Sequence, residues 1–348
     1  MDDRGVSQQP GPGVTAASTE FHARLEPFRG EVVAFCYRML GSVHDAEDLV
    51  QDTYLRAWRA RDQYDEQRAS VRTWLYRIAT NVCLTALTDR GRRPLPSGLV
   101  APREALAPFA VDAEITWLQP LPDAMFAAAD PAATAVDRSS LRLAFVAAMQ
   151  HLSARERGAL ILREVLSFSA AESAEILGIS AAAVNSSLQR ARARMKKTDP
   201  RRELAAELSA AEEHAWVERY MTAFERADVE ALKRLLTQDV VMEMPPLLNW
   251  FSGADNYGLF MDWVFEVNGT DWRLAAVAAN GQPAFAAYNR VGTEYRLHTL
   301  QVLTVTPGGI SHNTVFQNDA IFASFGLSPR LETPSSGVLS PRRAAADH

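Results

Sequence analysis

The pattern of residues 45–58 predicts an α-helix, and four of its polar side chains form one stripe along it. Asp48 lies three or four positions from each of the others, which places all four on one side of an α-helix: Asp45, Asp48, Gln51 and Asp52. The opposite side carries apolar residues at the helical period. Carboxylates in such a stripe can contact a basic protein surface. The stripe also suits a solvated face, because the helix dipole favours acids near the N-terminus.

Residues 70–93 predict a second helix whose side chains can bind nucleic acid. Ser70 is a favourable N-cap for it. The groups that could reach a nucleic acid are Arg72, Trp74, Arg77, Asn81 and Arg90. Guanidinium groups bind phosphates, and aromatic rings stack on unpaired bases. A surface helix with an arginine-rich C-terminus is the alternative interpretation.

Residues 169–197 predict two helices joined by a tight turn, which is the pattern of a helix-turn-helix. Ser169 and Glu172 form a capping box, the turn begins at Gly178, and the second helix spans 181–196. The face of that helix and its basic end could enter a DNA groove: Ala182, Asn185, Ser186, Gln189, Arg190, Arg194 and Lys197. An ordinary helical hairpin with a solubilising basic end is the alternative.

The last third of the chain offers residues that could line a binding pocket. Its helices run through 203–236, and strands and turns follow from Val240, with a hairpin expected at Asn280–Gly281. The pocket candidates are Trp250, Trp263, Trp272, Tyr288, His298 and Asp319. Core packing or surface placement is the alternative for each of them. Because no acid and base can be paired from the sequence, we predict no catalysis.

The charge of the chain is distributed unevenly. The 348 residues carry a net charge of −6. Counting Lys and Arg against Asp and Glu gives +5 for 139–197 but −8 for 203–330. A polyanion would therefore bind within 139–197.

Composition divides the chain into two or three domains with flexible connections. Residues 1–19 and 331–348 are predicted to be disordered, and the proline-rich, acidic segment 94–137 is predicted to be a linker. Cys36 and Cys83 lie in apolar helical patterns, which favours buried thiols over a disulfide or a metal site. No membrane segment or signal peptide is expected, and this predicts a cytoplasmic protein.

The helices of residues 20–93 resemble region 2 of the extracytoplasmic-function sigma factors. The resemblance lies in DAEDLVQDTYLRAW (45–58) followed by VRTWLYRIATNVCLTALTDRGRR (71–93). It implies that the acidic stripe contacts the β′ clamp helices of core RNA polymerase. It also implies that the second helix, with a loop at 61–70, holds the melted −10 promoter element.

The helix-turn-helix resembles sigma region 4, which spans 138–197 here and would read the −35 element and contact the β flap. The family often has a basic residue at the position of Asn185 and an arginine at that of Ser187, so this chain offers fewer charges to DNA. The acidic linker 94–137 could occupy a basic polymerase channel until RNA displaces it, or it could be a mere tether.

Residues 203–330 resemble the SnoaL-like, or nuclear-transport-factor-2-like, fold. The expected fold class is therefore two all-α sigma domains followed by an α+β cone domain. Its pocket could take a small-molecule ligand. Because its charge is opposite to that of the helix-turn-helix domain, it could restrain the sigma regions in cis.

These observations predict a sigma factor that binds core RNA polymerase and promoter DNA, uses no cofactor or metal and is not an enzyme. One alternative is a one-component DNA-binding regulator that senses a ligand, which would not need the pattern of 45–93. Another is a bifunctional protein with an isomerase- or cyclase-like C-terminal domain, which would need a carboxylate or histidine of shifted pKa in its pocket.

Overall fold

The computed structural model describes residues 21, 23–88, 91–104, 107–126, 138–198 and 208–331. The chain divides into two compact units. Unit 1 consists of Met1–Arg93 and Asp123–Pro200, and unit 2 of Pro94–Pro122 and Arg201–His348. The predicted disordered segments, 1–19 and the tail after Leu331, lie outside the described residues.

Unit 1 is built from α-helices. They are α1 (Arg29–Leu40), α2 (Val43–Arg59), α3 (Val71–Ala86), α4 (Leu143–Met149), α5 (Ala154–Leu160), α6 (Ala170–Leu177) and α7 (Ala181–Thr198). Serine caps set two of the starts. The hydroxyl oxygens of Ser42 and Ser70 accept hydrogen bonds from the backbone N–H groups of Asp45 and Thr73, at 3.2 and 3.1 Å. The predicted cap of α3 is thereby confirmed.

Helices α6 and α7 form the predicted helix-turn-helix. The capping box of Ser169 and Glu172 is present with both of its hydrogen bonds. Gly178 ends α6 in the left-handed region, with φ 63°, where glycine has no steric penalty. Ile176 and Val184 are buried at the contact between the two helices. These observations confirm the prediction made from the residue pattern.

Unit 1 packs its N-terminal helices against its C-terminal helices through buried groups. The rings of Tyr76 in α3 and Phe168 before α6 meet at 5.2 Å. The guanidinium of Arg157 in α5, which is 3% exposed, donates to the backbone carbonyls of Met39 and Met149. Burial lowers the pKa of Arg157 to about 10, so the guanidinium stays charged at neutral pH. The two helical regions therefore share one interior.

Both cysteines are buried thiols, as predicted. Cys36 in α1 and Cys83 in α3 are fully buried, with their Sγ atoms 3.7 Å apart. No group of three or more metal-binding side chains occurs among the described residues. No helix in the described part of the chain is long and apolar enough to span a membrane.

Unit 2 combines helices with one curved sheet. Its helices are α8 (Ala210–Glu225), α9 (Val229–Arg234), α10 (Ala254–Asn268) and α11 (Asp319–Ser324). Its strands are β1 (Leu236–Glu243), β2 (Trp250–Ser252), β3 (Trp272–Ala279), β4 (Gln282–Val291), β5 (Glu294–Thr306), β6 (Gly309–Phe316) and β7 (Arg330–Leu331). The strand order is β2-β1-β6-β5-β4-β3, with β7 beside β5.

The sheet is mixed, because β1 runs parallel to β6 while the other pairs are antiparallel. At the β3–β4 hairpin Asn280 and Gly281 have φ of 61° and 65°, as a two-residue type I′ turn requires. One face of the sheet packs against the helices around Phe224, Trp272 and Phe285. This arrangement confirms the predicted α+β cone domain.

Residues 94–122 belong to unit 2, although the sequence predicts a flexible linker over 94–137. Isolated antiparallel bridges join Val111 to Leu247 and Pro122 to Ala279. Residues 123–126 belong to unit 1, and 127–137 lie outside the described residues. We call residues 94–122 the connecting segment, because the chain passes through them between the two helical regions of unit 1.

Candidate nucleic-acid interface and ligand pocket

In the acidic stripe of α2, two carboxylates form ion pairs and the residues between them are exposed. Asp45 pairs with Arg93 at 2.5 Å, and its side chain is only 15% exposed. Asp52 pairs with Arg56, one turn further along the helix, at 2.9 Å. Asp48 and Gln51 are exposed between these pairs. The centre of the stripe is therefore available for a partner.

Arg72 is held inside unit 1 rather than on an open face. Its Nε and Nη2 atoms donate to the Glu31 carboxylate at 3.0 and 3.1 Å. The guanidinium also lies 4.3 Å from the centre of the Phe168 ring. Glu31 is buried and accepts a further hydrogen bond from Tyr76. The ion pair with Glu31 lies within the N-terminal helices, and the contact with Phe168 reaches the C-terminal ones, so Arg72 differs from the exposed residue that the sequence suggests.

A ring cluster lies at the start of α3. Trp74 is half-buried against Tyr64 at 5.2 Å and Phe21 at 5.9 Å. Arg77 and Asn81 are exposed further along the helix, and Arg90 lies outside the described residues. Tyr64 is the one aromatic residue in the loop 61–70 that the sequence predicts to hold the −10 element, and this composition is a signal that could have identified it. The two rings form a surface on which an unpaired base could stack.

The residues of α7 that are predicted to face DNA are exposed, and two of its arginines form ion pairs with Glu156. Ala182, Asn185, Ser186, Gln189 and Lys197 are exposed. Arg190 and Arg194 each donate to the Glu156 carboxylate of α5, at 3.1 and 2.7 Å. Their side chains nevertheless remain 58% and 51% exposed. DNA would therefore compete with Glu156 for both guanidinium groups.

Glu156 stays ionised to hold these two arginines. Burial alone would raise the pKa of Glu156, but hydrogen bonds from Ser153 and Arg190 and the charge of Arg194 lower it below its usual value. The pairing of Glu156 with Arg190 and Arg194 is not predictable from the sequence. The residues are 34 and 38 positions apart, and no local pattern connects them.

Unit 2 contains a cavity of about 290 Å³ between the sheet and α10. Three of the six pocket candidates, Trp263, Trp272 and His298, are in its lining. The Nε2 atom of His298 lies 3.2 Å from Nε2 of Gln317, and its ring meets the Trp272 ring edge-on at 5.4 Å. Burial lowers the pKa of His298 below its ordinary value, so the imidazole is neutral at neutral pH.

The other three pocket candidates lie elsewhere. Trp250 donates its indole N–H to the Val100 carbonyl at 2.8 Å. Tyr288 packs with Tyr295 on the opposite face of the sheet, because successive residues of β4 point to opposite sides. Asp319 is exposed at the start of α11. These three residues are not in the lining of this cavity, and their places in the core or on the surface match the alternative that the sequence leaves open for each candidate.

Side chains of unit 2 hold the connecting segment by its backbone. Asn249 accepts from the Ala110 N–H at 2.8 Å and donates to the Pro108 carbonyl at 3.2 Å. Asn280 accepts from the Leu121 N–H at 2.9 Å and returns a backbone hydrogen bond to the same residue. Both asparagine side chains are completely buried. The segment is therefore docked by specific, desolvated hydrogen bonds.

A buried carboxylate anchors the start of the connecting segment. Glu243 is fully buried, accepts a hydrogen bond from the Ser97 N–H at 3.0 Å, and lies 2.6 Å from Nε2 of His312. Burial alone would raise the pKa of Glu243. The neighbouring His312 and the Ser97 N–H overcome that effect and lower it. The carboxylate is therefore ionised in the folded protein at neutral pH.

Three family models match the chain in order. Sigma-70 region 2 matches residues 25–93, Sigma-70 region 4 matches 142–195, and a SnoaL-like domain matches 217–319. The first two matches fall in unit 1 and the third falls in unit 2. We refer to these parts as region 2, region 4 and the cone domain.

Known proteins resemble the chain over most of its length. The ECF RNA polymerase sigma factor SigG of Mycobacterium tuberculosis (strain ATCC 25618 / H37Rv) is 45% identical over 317 residues, which are 90% of this chain and 85% of that protein. The ECF RNA polymerase sigma factor SigW of Bacillus subtilis (strain 168) is 30% identical over 50% of this chain and 85% of its own length. The crystal structure of the Mycobacterium tuberculosis sigma factor SigJ has the same fold. Its TM-score is 0.58 at 23% identity, and the match covers 88% of this chain and 100% of that one.

The anchor at Glu243 predicts an acid-sensitive cone domain. A carboxylate whose pKa is lower in the folded than in the unfolded state contributes stability above its unfolded pKa, and that contribution is lost as the pH falls through the folded pKa. Glu243→Gln should therefore flatten the loss of stability between about pH 5 and pH 3. Thermal unfolding followed by tryptophan fluorescence measures this. Glu266→Gln, an exposed change on α10, is the control and should keep the wild-type profile. A Glu243→Gln protein with the wild-type pH profile would contradict the role of the ion pair.

Proposed function

The chain belongs to the extracytoplasmic-function family of RNA polymerase sigma factors, and from this we propose how its surfaces divide between polymerase and promoter DNA. It is a sigma factor, and RNA polymerase and promoter DNA are the partners of this family. Because both are inside the cell, we place its action in the cytoplasm. We assign region 2 to the β′ clamp helices and the −10 element, and region 4 to the β flap and the −35 element.

The open centre of the acidic stripe is the observation that carries the polymerase assignment. Asp48 and Gln51 are exposed between two ion pairs that fix the ends of the stripe. Because Arg93 and Arg56 balance the charges of Asp45 and Asp52, the negative charge at the centre of the stripe is that of Asp48. Such a surface suits a basic partner, since complementary charge speeds association and fixes orientation.

Reversal of charge at the stripe should abolish polymerase binding. Asp48→Arg places a cation opposite the basic partner surface, and we expect at least a tenfold loss of affinity for core polymerase. Co-purification and a binding titration with core enzyme measure this. Glu266→Arg makes the same charge change at an exposed position of α10, outside both regions assigned to polymerase, and should bind normally. Equal affinity of the two variants would refute the assignment of the stripe.

For DNA, we assign the ring pair of Tyr64 and Trp74 to an unstacked base of the −10 element. Arg77 and Asn81 are exposed on the same helix and would contact the strand beside it. In region 4 the exposed face of α7 would enter the major groove, as the second helix of a helix-turn-helix does. Arg190 would contact a base, while Lys197 at the end of the helix would contact phosphate.

These two roles in region 4 predict different losses. Arg190→Ala should weaken promoter binding by about 1–3 kcal/mol, with the loss confined to one base position. Lys197→Ala should weaken binding at every sequence and reduce the salt slope by about one. Binding titrations over a promoter library at several salt concentrations measure both. Each variant is the control for the other. If Arg190→Ala weakened binding equally at every promoter sequence, the result would contradict a base contact by Arg190.

Promoter binding requires the halves of unit 1 to separate. Helix α3 packs on α6, and α6 packs on α7. Since packed helices lie about 8–10 Å apart, α3 and α7 are within about 20 Å of each other. The −35 and −10 elements, by their names, are about 25 base pairs apart, which is roughly 80 Å of DNA. One compact unit cannot occupy both elements.

We propose that docking of the connecting segment restrains this separation in cis. Residues 94–137 could reach roughly 150 Å when fully extended, which is enough to span the two elements. Residues 123–137 alone reach roughly 50 Å. While 94–122 are held on the cone domain, most of this length is not available. By holding this segment, the cone domain would limit how far region 2 and region 4 can separate.

Release of the segment should raise activity. Asn249→Ala removes the hydrogen bonds to Pro108 and Ala110, and we expect run-off transcription at limiting core polymerase to increase about threefold to tenfold. Asn256→Ala is the control, because the Asn256 amide donates to the Ser252 carbonyl at the end of β2 and forms no hydrogen bond with the described residues of the connecting segment. Thermal unfolding would establish that both variants are folded. Unchanged or lower activity of a folded Asn249→Ala protein would refute the restraint.

A further inference from the structure

The cavity of the cone domain has the size and lining of a small-molecule site. Its volume of about 290 Å³ is at the lower end of the range of roughly 300–1,000 Å³ for drug-sized ligands. Aromatic rings form much of its wall, including Phe224, Phe260, Trp263 and Trp272. Flat walls of this kind favour a flat ligand of one or two rings.

The chemistry of the lining favours a neutral ligand. Among the described residues that line the cavity there is no lysine, arginine, aspartate or glutamate. A charged molecule would lose its hydration without gaining an ion pair, which is costly in an apolar cavity. The absence of a carboxylate also leaves no partner for His298 in acid–base catalysis. Binding rather than turnover is the activity that this lining supports.

Polar groups lie together at one part of the lining. The side-chain amide nitrogen of Gln317 lies 3.2 Å from Nε2 of His298. Thr299 and Gln301 lie beside them in the lining and bond each other at 3.2 Å. A ligand with one hydroxyl or carbonyl group could hydrogen-bond there while its rings occupy the apolar part.

The connecting segment supplies one wall of the cavity. Phe109 lines it, with its ring 5.3 Å from Trp263 and 6.4 Å from Phe260. Phe109 is nevertheless 44% exposed, so half of its surface covers the cavity and half faces solvent. Asn249 bonds the backbone on both sides of this residue, at Pro108 and Ala110. The position of the ring is therefore coupled to the docking of the segment.

We propose that the cone domain binds a neutral, flat, mainly apolar molecule of one or two rings with a single hydroxyl or carbonyl group, and that Phe109 closes over it. Binding adds contacts to Phe109 and therefore strengthens docking of residues 94–122. A ligand can shift the equilibrium between the docked and the released segment only by the difference in its affinity for these two states. The binding is independent of the proposed restraint on transcription, whereas its effect on transcription rests on that restraint.

The first experiment measures binding to the full-length chain by calorimetry, with 2-naphthol as the probe. Naphthalene-2-carboxylate is the charged counterpart of the same shape. We expect 2-naphthol to bind at least tenfold more tightly than the carboxylate. Equal binding of the two, or no measurable binding of 2-naphthol, would overturn the proposal.

Two tryptophan substitutions on α10 locate the binding site. Val267 lines the cavity and is 60% exposed, so Val267→Trp can fill the mouth without disrupting the core. Leu259, 55% exposed on the same helix, does not line the cavity, and Leu259→Trp is the matched control. Val267→Trp should weaken 2-naphthol binding at least tenfold, and Leu259→Trp should leave it unchanged. Equal affinities would place the probe elsewhere and refute the site.

The second experiment tests the coupling to Phe109. Arg103 is exposed within the connecting segment, so trypsin cleavage there reports release of the segment. A concentration of 2-naphthol ten times its Kd should slow this cleavage about tenfold in the wild type. We expect Phe109→Ala to bind 2-naphthol about threefold to tenfold more weakly than the wild type. In this variant, 2-naphthol should slow the cleavage at Arg103 much less. Equal protection of the two proteins by saturating 2-naphthol would refute the role of Phe109.

Run-off transcription separates failure of this proposal from failure of the proposed function. If 2-naphthol binds, protects Arg103 and lowers transcription, both the site and the restraint are supported. If it binds and protects Arg103 while transcription is unchanged, the ligand site stands and the restraint in cis is refuted. If it does not bind while Asn249→Ala still raises transcription, the restraint stands and the ligand proposal is refuted.

Discussion

Asn249 forms hydrogen bonds with the backbone on either side of Phe109. These bonds attach the connecting segment to the cone domain. They fix a stretch of chain that joins region 2 to region 4, and they place one of its rings over the cavity of the cone domain. Because Asn249 is completely buried, each lost bond would leave a desolvated polar group, which costs about 1–3 kcal/mol. Buried bonds of this strength can hold the segment in place on the cone domain.

The paired arginines of unit 1 differ in how readily DNA could recruit them. Arg190 and Arg194 are more than half exposed, although the carboxylate of Glu156 that they share is only 4% exposed. DNA can therefore reach both guanidinium groups, but recruiting them would leave a buried carboxylate with fewer partners. Arg72 is only 25% exposed and is bound twice to a buried carboxylate. Both partners of this ion pair belong to region 2, so separation of region 4 would remove the contact with Phe168 and leave the ion pair in place.

The sequence was most informative where structure depends on near neighbours. The caps at Ser70 and Ser169, the turn at Gly178 and the hairpin at Asn280 each follow from a few adjacent residues, and all four are present. The docking of the connecting segment could not be predicted in this way, because Asn249 bonds a residue 139 positions away. For the pocket, composition identified His298 and two tryptophans. It could not show that Tyr288 faces the other side of the sheet, since that depends on the register of β4.

Two physical origins of a restraint in cis can be distinguished by their response to salt. The opposite charges of 139–197 and 203–330 suggest electrostatic attraction, which screening weakens over about 10 Å at 0.1 M salt. The bonds that dock the connecting segment are buried at Asn249, Asn280 and Glu243, where mobile ions do not penetrate. A restraint based on docking would therefore persist at salt concentrations that remove an electrostatic one. It would also respond to a neutral ligand, because Phe109 lies at the cavity and carries no charge.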